Sequence, residues 1–148
     1  MADYYTQFSE ILDNLTPEEE KWLTEQLASD PSTGSPVFLQ DYEEHDPDSP
    51  DCGFQIGFEG EGNERHMWIY SDDWGEPGRA AHLVQKFLKR FRPDQCWSFT
   101  YSSTCSKPRI GEFGGGGVFV TADEIHWQNS HEFVGQQRAA FEATRATT

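Results

Sequence analysis

The chain has 148 residues, a mean hydropathy of −0.76 and a formal net charge of −15. This length suits one domain, so we predict a single domain over residues 1–148. No run approaches the roughly 18 apolar residues of a membrane span, and the acidic start is not that of a signal peptide. Three cysteines (Cys52, Cys96 and Cys105) are too few for a secreted disulfide scaffold, so a cytoplasmic location is expected.

The charge is unevenly distributed along the chain. Residues 1–76 contain 20 acidic and 2 basic residues, a charge of −18, whereas residues 77–148 contain 6 acidic and 9 basic residues, a charge of +3. The acidic half would repel phosphates, so direct nucleic-acid binding is not expected. Two interpretations remain: the acid keeps the protein in solution, or it forms a surface for a basic partner.

The N-terminal region reads as two helices. Apolar residues at three- and four-residue spacing predict a helix from Tyr4 or Tyr5 to Asn14. Thr16 is a suitable cap for a second helix, with Pro17 in its first turn and Glu19 completing a capping box. An N-terminal helical hairpin is therefore predicted. The apolar residues of the first helix are Phe8, Ile11, Leu12 and Leu15.

The middle of the chain reads as strands and one strong helix. "VFLQDY" from Val37 is a predicted short strand, and Glu43–Asp51 is a predicted exposed, acidic loop broken by prolines. "CGFQIGFEG" and "RHMWIYSDD" predict a β-hairpin, since apolar and polar residues alternate in them. "GEPGRAAHLVQKFLKRFRP" predicts an amphipathic helix that ends at Pro93.

The last third predicts two strands and a helix. "CWSFTYSS" alternates Trp97, Phe99 and Tyr101, and "GGVFVTA" is its predicted hairpin partner after a long loop. "HEFVGQQRAAFEATRA" predicts a closing helix. Elements in this order indicate the α+β class: one antiparallel sheet of about four to five strands, covered by helices.

Four consecutive glycines, residues 114–117, precede the apolar strand that begins at Val118. A phosphate-binding P-loop needs a Lys and a Ser or Thr after its glycines and a helix opening there, and a dinucleotide fingerprint also needs that helix. Neither follows here. The run instead predicts a strand with a bulge or a close approach of another backbone.

Metal and nucleophile signals are weak. Cys96 and Cys105 lack the short spacing of a zinc site, and Glu43–Asp51 lacks the glycine and terminal Glu of an EF-hand loop. No metal or cofactor is predicted. The alternative to a pure binding protein is a small-ligand site or enzyme at the Cys105 loop. There Lys107 and Arg109 would contact an anion and lower the pKa of the thiol.

Two features have both a structural and a functional interpretation. The predicted helix after Gly75 carries a basic side that could meet an acidic partner, pair with the protein's own acid, or face solvent, and we expect the solvated face. Trp74 is either a core residue or an exposed anchor, and the core position is expected. The basic residues on that side of the predicted helix are Arg79, Lys86, Lys89, Arg90 and Arg92.

The sequence thus favours a small acidic binding protein over an enzyme. This protein is expected to engage an unidentified basic protein surface. An inhibitor, immunity-type or anti-defence factor against a nucleic-acid-acting protein fits this pattern, because clustered carboxylates can occupy a phosphate-binding cleft. No membrane contact is expected, and the pattern leaves the oligomeric state open. The predicted partner-binding residues are Glu43, Glu44, Asp46, Asp48, Asp51, Asp72, Asp73, Trp74 and Glu76.

Overall fold

A computed structural model describes residues 2–42 and 52–146 and has a single-domain α+β architecture. Six antiparallel strands form one sheet in the order β2-β3-β1-β4-β5-β6, and three α-helices accompany it. The strands are β1 Tyr4–Leu12, β2 Gln55–Glu59, β3 His66–Ser71, β4 Cys96–Cys105, β5 Gly114–Thr121 and β6 Ile125–Asn129. The helices are α1 Pro17–Leu27, α2 Pro77–Phe91 and α3 Ser130–Ala146.

The predicted N-terminal helical hairpin is wrong, because its first helix is β1, a central strand of the sheet. β1 pairs with β3 on one side, with Leu12 opposite Met67, and with β4 on the other, with Phe8 opposite Tyr101. Phe8 and Leu12 are buried, whereas Ile11 is 43% exposed. Residues 8 and 12 share a face in either a helix or a strand, but residue 11 joins them only in a helix. The exposure of Ile11 is therefore that of a strand.

The predicted capping box of α1 is confirmed. Thr16 Oγ1 accepts a hydrogen bond from Glu19 N (3.2 Å), and Glu19 Oε1 accepts one from Thr16 N (2.8 Å). The predicted amphipathic helix is α2, which buries Leu83, Phe87 and Leu88. These side chains and Leu23 of α1 form one core with the adjacent face of the sheet. The fully buried side chains of largest volume include Phe38, Phe87, Leu23, Leu39, Met67, Ile69 and Leu83.

Two further elements differ from the sequence-based prediction. "VFLQDY" is not a strand: Val37–Leu39 is a 3₁₀-helix after Pro36, and it buries Phe38 and Leu39 in the core. β6 raises the strand count above the predicted four to five. This strand has five residues, about half of them polar, which is typical of an edge strand. It follows β5 through a tight turn.

The basic side of α2 is not a solvated face, contrary to expectation. Arg92 Nε lies 3.0 Å from Glu19 Oε2, and both side chains are largely buried. Lys86 Nζ lies 2.9 Å from Asp41 Oδ2, and Arg79 is only 4% exposed. The acidic first half of the chain therefore pairs with part of the basic second half. Lys89 and Arg90 are the exposed members of the set.

The glycine run lies inside β5, between β4 and β6, as a structural interpretation requires. A Cβ on Gly115, whose φ is +155°, would lie 2.5 Å from Tyr101 O. One on Gly116 would lie 2.4 Å from Gln128 O. These distances are too short for any side chain, so the glycines allow both neighbouring backbones to approach closely.

Helix α3 does not cover the sheet. Its first turn is fixed to β5, with Ser130 Oγ donating to Gly115 O (3.0 Å). None of its described residues is buried, and Phe133, Val134 and Phe141 are 51–57% exposed. The helix thus presents an unoccupied apolar side to its surroundings.

Candidate functional site

The candidate site is the connection between β3 and α2, residues 72–76, which is held by several backbone hydrogen bonds. Its backbone is hydrogen-bonded to β1 in both directions: Thr6 N donates to Asp73 O (2.7 Å), and Gly75 N donates to Thr6 O (2.9 Å). Gln7 Nε2 adds a bond to Asp72 O (2.9 Å), and Glu76 N bonds to a carbonyl on the other side of the loop, that of Gly53 (2.7 Å). This connection is therefore held in one conformation.

Trp74 is not a core residue, contrary to expectation. Its side chain is 79% exposed, although its backbone forms a parallel bridge with Thr6. The next residue, Gly75, lies directly against the buried Phe8. A Cβ on the adjacent Gly75 would lie only 2.5 Å from the Phe8 ring. A large indole on a fixed loop is thus displayed to solvent.

Carboxylates share a groove with this indole. Asp72, Asp73 and Glu76 are all exposed, and with Trp74 they line a groove of about 510 Å³. An aromatic face beside carboxylates is suited to a Lys or Arg side chain, which the ring attracts through cation–π contact and the acids through ion pairing. The remaining lining residues are Cys52, Gly53, Phe54, Gln55 and Ser71.

The other five predicted partner-binding residues (Glu43, Glu44, Asp46, Asp48 and Asp51) lie outside the described residues. The chain re-enters the described part at Cys52, which lines the same groove as Trp74.

The alternative ligand site is not arranged as the sequence suggested. Cys105 is the last residue of β4 and only 8% exposed, so it is not part of an open loop. Lys107 and Arg109 are exposed in the connection that follows, where Arg109 Nη1 donates to the Tyr4 hydroxyl (3.2 Å). Reactive cysteines are accessible to their targets, so this burial does not favour a nucleophilic role for Cys105.

The two predicted sites flank the same part of β1. Thr6 is bridged to Trp74 on one side of the strand, and Tyr4 is opposite Cys105 on the other. Neighbouring strands lie about 4.8 Å apart, so the two backbones are about 10 Å apart across β1. They do not form one catalytic group.

Three exposed aromatic residues of the sheet and its loops were not predicted as site residues from the sequence. Tyr4, Phe113 and Trp127 are 45–46% exposed, and Trp127 packs edge-on against Tyr101 at 6.3 Å. Burial raises the pKa of Tyr101, and the negative charge of Glu132 raises it further. The alternation of "IHWQN" was the available signal for Trp127 as a strand residue.

The described residues contain no group of three or more His, Cys, Asp or Glu side chains placed to hold a metal ion. Nor does this part of the chain form a helix with the length and apolar composition of a membrane crossing. None of the cysteines forms a disulfide within the described residues. Comparison with protein-family models, curated proteins and solved structures finds no match to this chain.

Proposed function

We propose that the protein is an acidic binding protein whose Trp74 loop docks onto a basic protein surface. The observation that carries the proposal is the 79% exposure of Trp74 on a loop fixed to β1 by backbone hydrogen bonds. An exposed Trp leaves a large apolar surface in contact with water and contributes nothing to the core of the free protein. Tryptophan is also among the residues enriched at energetically dominant interface positions.

The rigidity of the loop supports this role. Because Asp73 and Gly75 are bonded to Thr6, the loop loses little conformational freedom when a partner binds. The exposed Asp72, Asp73 and Glu76 would meet Lys or Arg side chains around the indole. The central aromatic contact would then set the dissociation rate, and the surrounding charges would set the association rate.

The chemistry of the groove favours a partner whose natural ligand is a polyanion. Such a partner has a basic cleft, and the clustered carboxylates of this protein resemble the phosphates that the cleft normally holds. We therefore retain an inhibitor, immunity-type or anti-defence factor against a nucleic-acid-acting protein as the proposed class. The sequence-based prediction also assigns Glu43, Glu44, Asp46, Asp48 and Asp51 to the partner-binding surface.

The proposal is tested by capturing partners from the host with wild-type protein and with Trp74→Ala as baits. Phe119→Ala is the matched control, because Phe119 is another exposed aromatic residue (43%) but lies in β5. The expected result is a basic protein that dissociates from Trp74→Ala about 30-fold faster, equivalent to about 2 kcal/mol, and from the control at the wild-type rate. Equal retention by all three baits would contradict the proposal.

A further inference from the structure

Strand β6 forms an open edge of the described sheet. It pairs with β5 alone, in a register without interruption. Thr121 N donates to Glu124 O (2.8 Å), so these two residues are a hydrogen-bonded pair. Such pairs alternate along an antiparallel ladder, and the next is Phe119 with His126. The intervening residues of β6 therefore direct their backbone N–H and C=O groups away from β5. These outward-facing residues are Ile125, Trp127 and Asn129.

The outward-facing residues are complementary to a second copy of themselves. If two β6 strands run antiparallel with Trp127 opposite Trp127, Ile125 of each copy is opposite Asn129 of the other. The two Trp127 residues then exchange backbone hydrogen bonds, and each Asn129 N–H donates to an Ile125 carbonyl. No other alignment centred within the strand pairs all three outward positions.

The composition of β6 does not protect this edge. Natural edge strands carry Lys, Pro, inward-pointing charge or a bulge that prevents further pairing. The segment Ile125–Asn129 contains no Lys, Arg, Asp, Glu or Pro, and its pairing with β5 has no bulge. Its central residue, Trp127, is 46% exposed. An aromatic residue at the centre of such an edge is typical of an interface.

The symmetry of this pairing also determines where α3 of the second copy begins. A two-fold axis perpendicular to the sheet keeps the helix-bearing faces of both copies on the same side. α3 begins on that side, since the His131 ring lies 3.2 Å from the Cβ position of Gly114. In the pairing described above, Ser130 of one copy lies opposite Glu124 of the other. The second α3 thus starts beside the groove between α2 and β6.

That groove has a volume of about 530 Å³ and matches α3 in chemistry. Tyr42, Ile125 and Trp127 supply aromatic and apolar walls, and its carboxylates are those of Asp41 and Glu76. The exposed stripe of α3 contains Val134 and Phe141. Arg138 lies four residues after Val134 and three before Phe141, so it is on the same side of the helix. Asp41 is already paired with His82 and Lys86. A docked α3 would therefore set its apolar stripe against the walls and the Arg138 guanidinium beside Glu76.

We propose that a second copy of this chain pairs with the β6 edge and lays its α3 into the groove beside Trp127. The resulting C2 dimer has a continuous sheet across the two copies. It buries the α3 stripe, none of which is buried in the described part of the single chain. Glu76 borders both this groove and that of Trp74, but Trp74, Asp72 and Asp73 do not line the α3 groove. The variants used below leave all four of these residues unchanged, so their outcome is distinguishable from that of the proposed partner docking.

The first test measures the oligomeric state by sedimentation equilibrium over a range of concentrations. The wild-type protein should dimerise, and Val134→Glu with Phe141→Glu should raise the dissociation constant at least about tenfold. Ala139→Glu with Ala143→Glu adds the same charge on the opposite side of α3 and should leave it unchanged. Since all four residues are exposed, the variants should fold, as circular dichroism can check. A monomeric wild type, or equal effects of the two pairs, would overturn the proposal.

The second test establishes the register by disulfide trapping in a Cys52→Ser, Cys96→Ser background. Trp127→Cys places two cysteines directly opposite, with Cα atoms about 5.5 Å apart, within disulfide range. Gln128→Cys is the control, because its two copies are offset along the strands beyond that range. Rapid covalent dimer formation by Trp127→Cys alone is expected. Equal cross-linking of both variants, or none in either, would exclude this pairing.

Discussion

At the residue scale, the four glycines of β5 differ in what they contribute. A Cβ on Gly115 or Gly116 would collide with a backbone carbonyl of β4 or β6, whereas one on Gly117 would meet nothing within 4 Å. The run therefore contains both required and replaceable positions, and nothing in its geometry resembles a phosphate-binding loop. β4 and β6 can lie close to β5 because Gly115 and Gly116 lack side chains.

Replacing these glycines by alanine should separate the two kinds of position. Gly116→Ala should lower the free energy of unfolding by about 1–3 kcal/mol, because the Gln128 carbonyl must move to admit the methyl group. Gly117→Ala should leave it unchanged or raise it by up to about 1 kcal/mol, since it restricts only the unfolded chain. Urea denaturation measures both. Equal destabilisation would contradict the assignment of close approach to Gly116.

Trp74 illustrates a residue whose role depends on its exposure. The sequence supported either a core or an anchor, and the structure places the indole in solvent. Trp74→Ala should therefore leave the midpoint of thermal unfolding near that of the wild type. A fall of many degrees would show that the indole packs against the protein.

At the element scale, α1 and α2 are joined by the pair of Glu19 and Arg92. Burial disfavours the charge of Glu19, but the hydrogen bond and charge of Arg92 and the Thr16 N–H outweigh it and lower the pKa. Arg92 also donates to Asp13 O (2.8 Å) and Asn14 O (3.0 Å), which fixes the entry to α1. One guanidinium therefore connects the end of α2 with the start of α1.

This pair predicts a pH-dependent stability. A carboxyl whose pKa is lower in the folded state stabilises the protein above its unfolded-state pKa, near 4.5, and this contribution is lost as the pH falls through the folded value. Glu19→Gln should cost about 1–3 kcal/mol at pH 7. Its deficit relative to the wild type should disappear in acid. Glu18→Gln, on the exposed side of α1, is the control and should show no such trend.

The elements also show how far sequence patterns reach. α1, α2, β2 to β5 and α3 follow from caps, alternation and helical spacing, which local residues determine. β1 was missed because Phe8 and Leu12 fit both periodicities, and its strand form depends on hydrogen bonds to β3 and β4, which are distant in the chain. The exposure of Trp74 likewise depends on the long-range contact of its loop with Thr6.

At the scale of the whole molecule, the polarised charge of −18 against +3 is only partly neutralised within the fold. Between the two halves, Glu19 pairs with Arg92 and Asp41 pairs with Lys86. Asp72, Asp73 and Glu76 remain exposed around Trp74. Other acidic side chains of the first half, such as Glu25, Glu61 and Glu64, are exposed as well. The group around Trp74 differs from these in sharing a groove with an exposed indole. This coincidence is the basis of the proposed docking surface.

The association rate of the captured partner with Asp72→Asn/Asp73→Asn tests this account most directly. Glu61→Gln/Glu64→Gln removes the same charge from the opposite end of β3, about 20 Å away, and serves as the control. Local docking predicts slower association for the first variant alone at low salt. The difference should shrink as added salt brings the screening length below about 8 Å. Equal association rates for the two variants at low salt would contradict docking through the Trp74 loop.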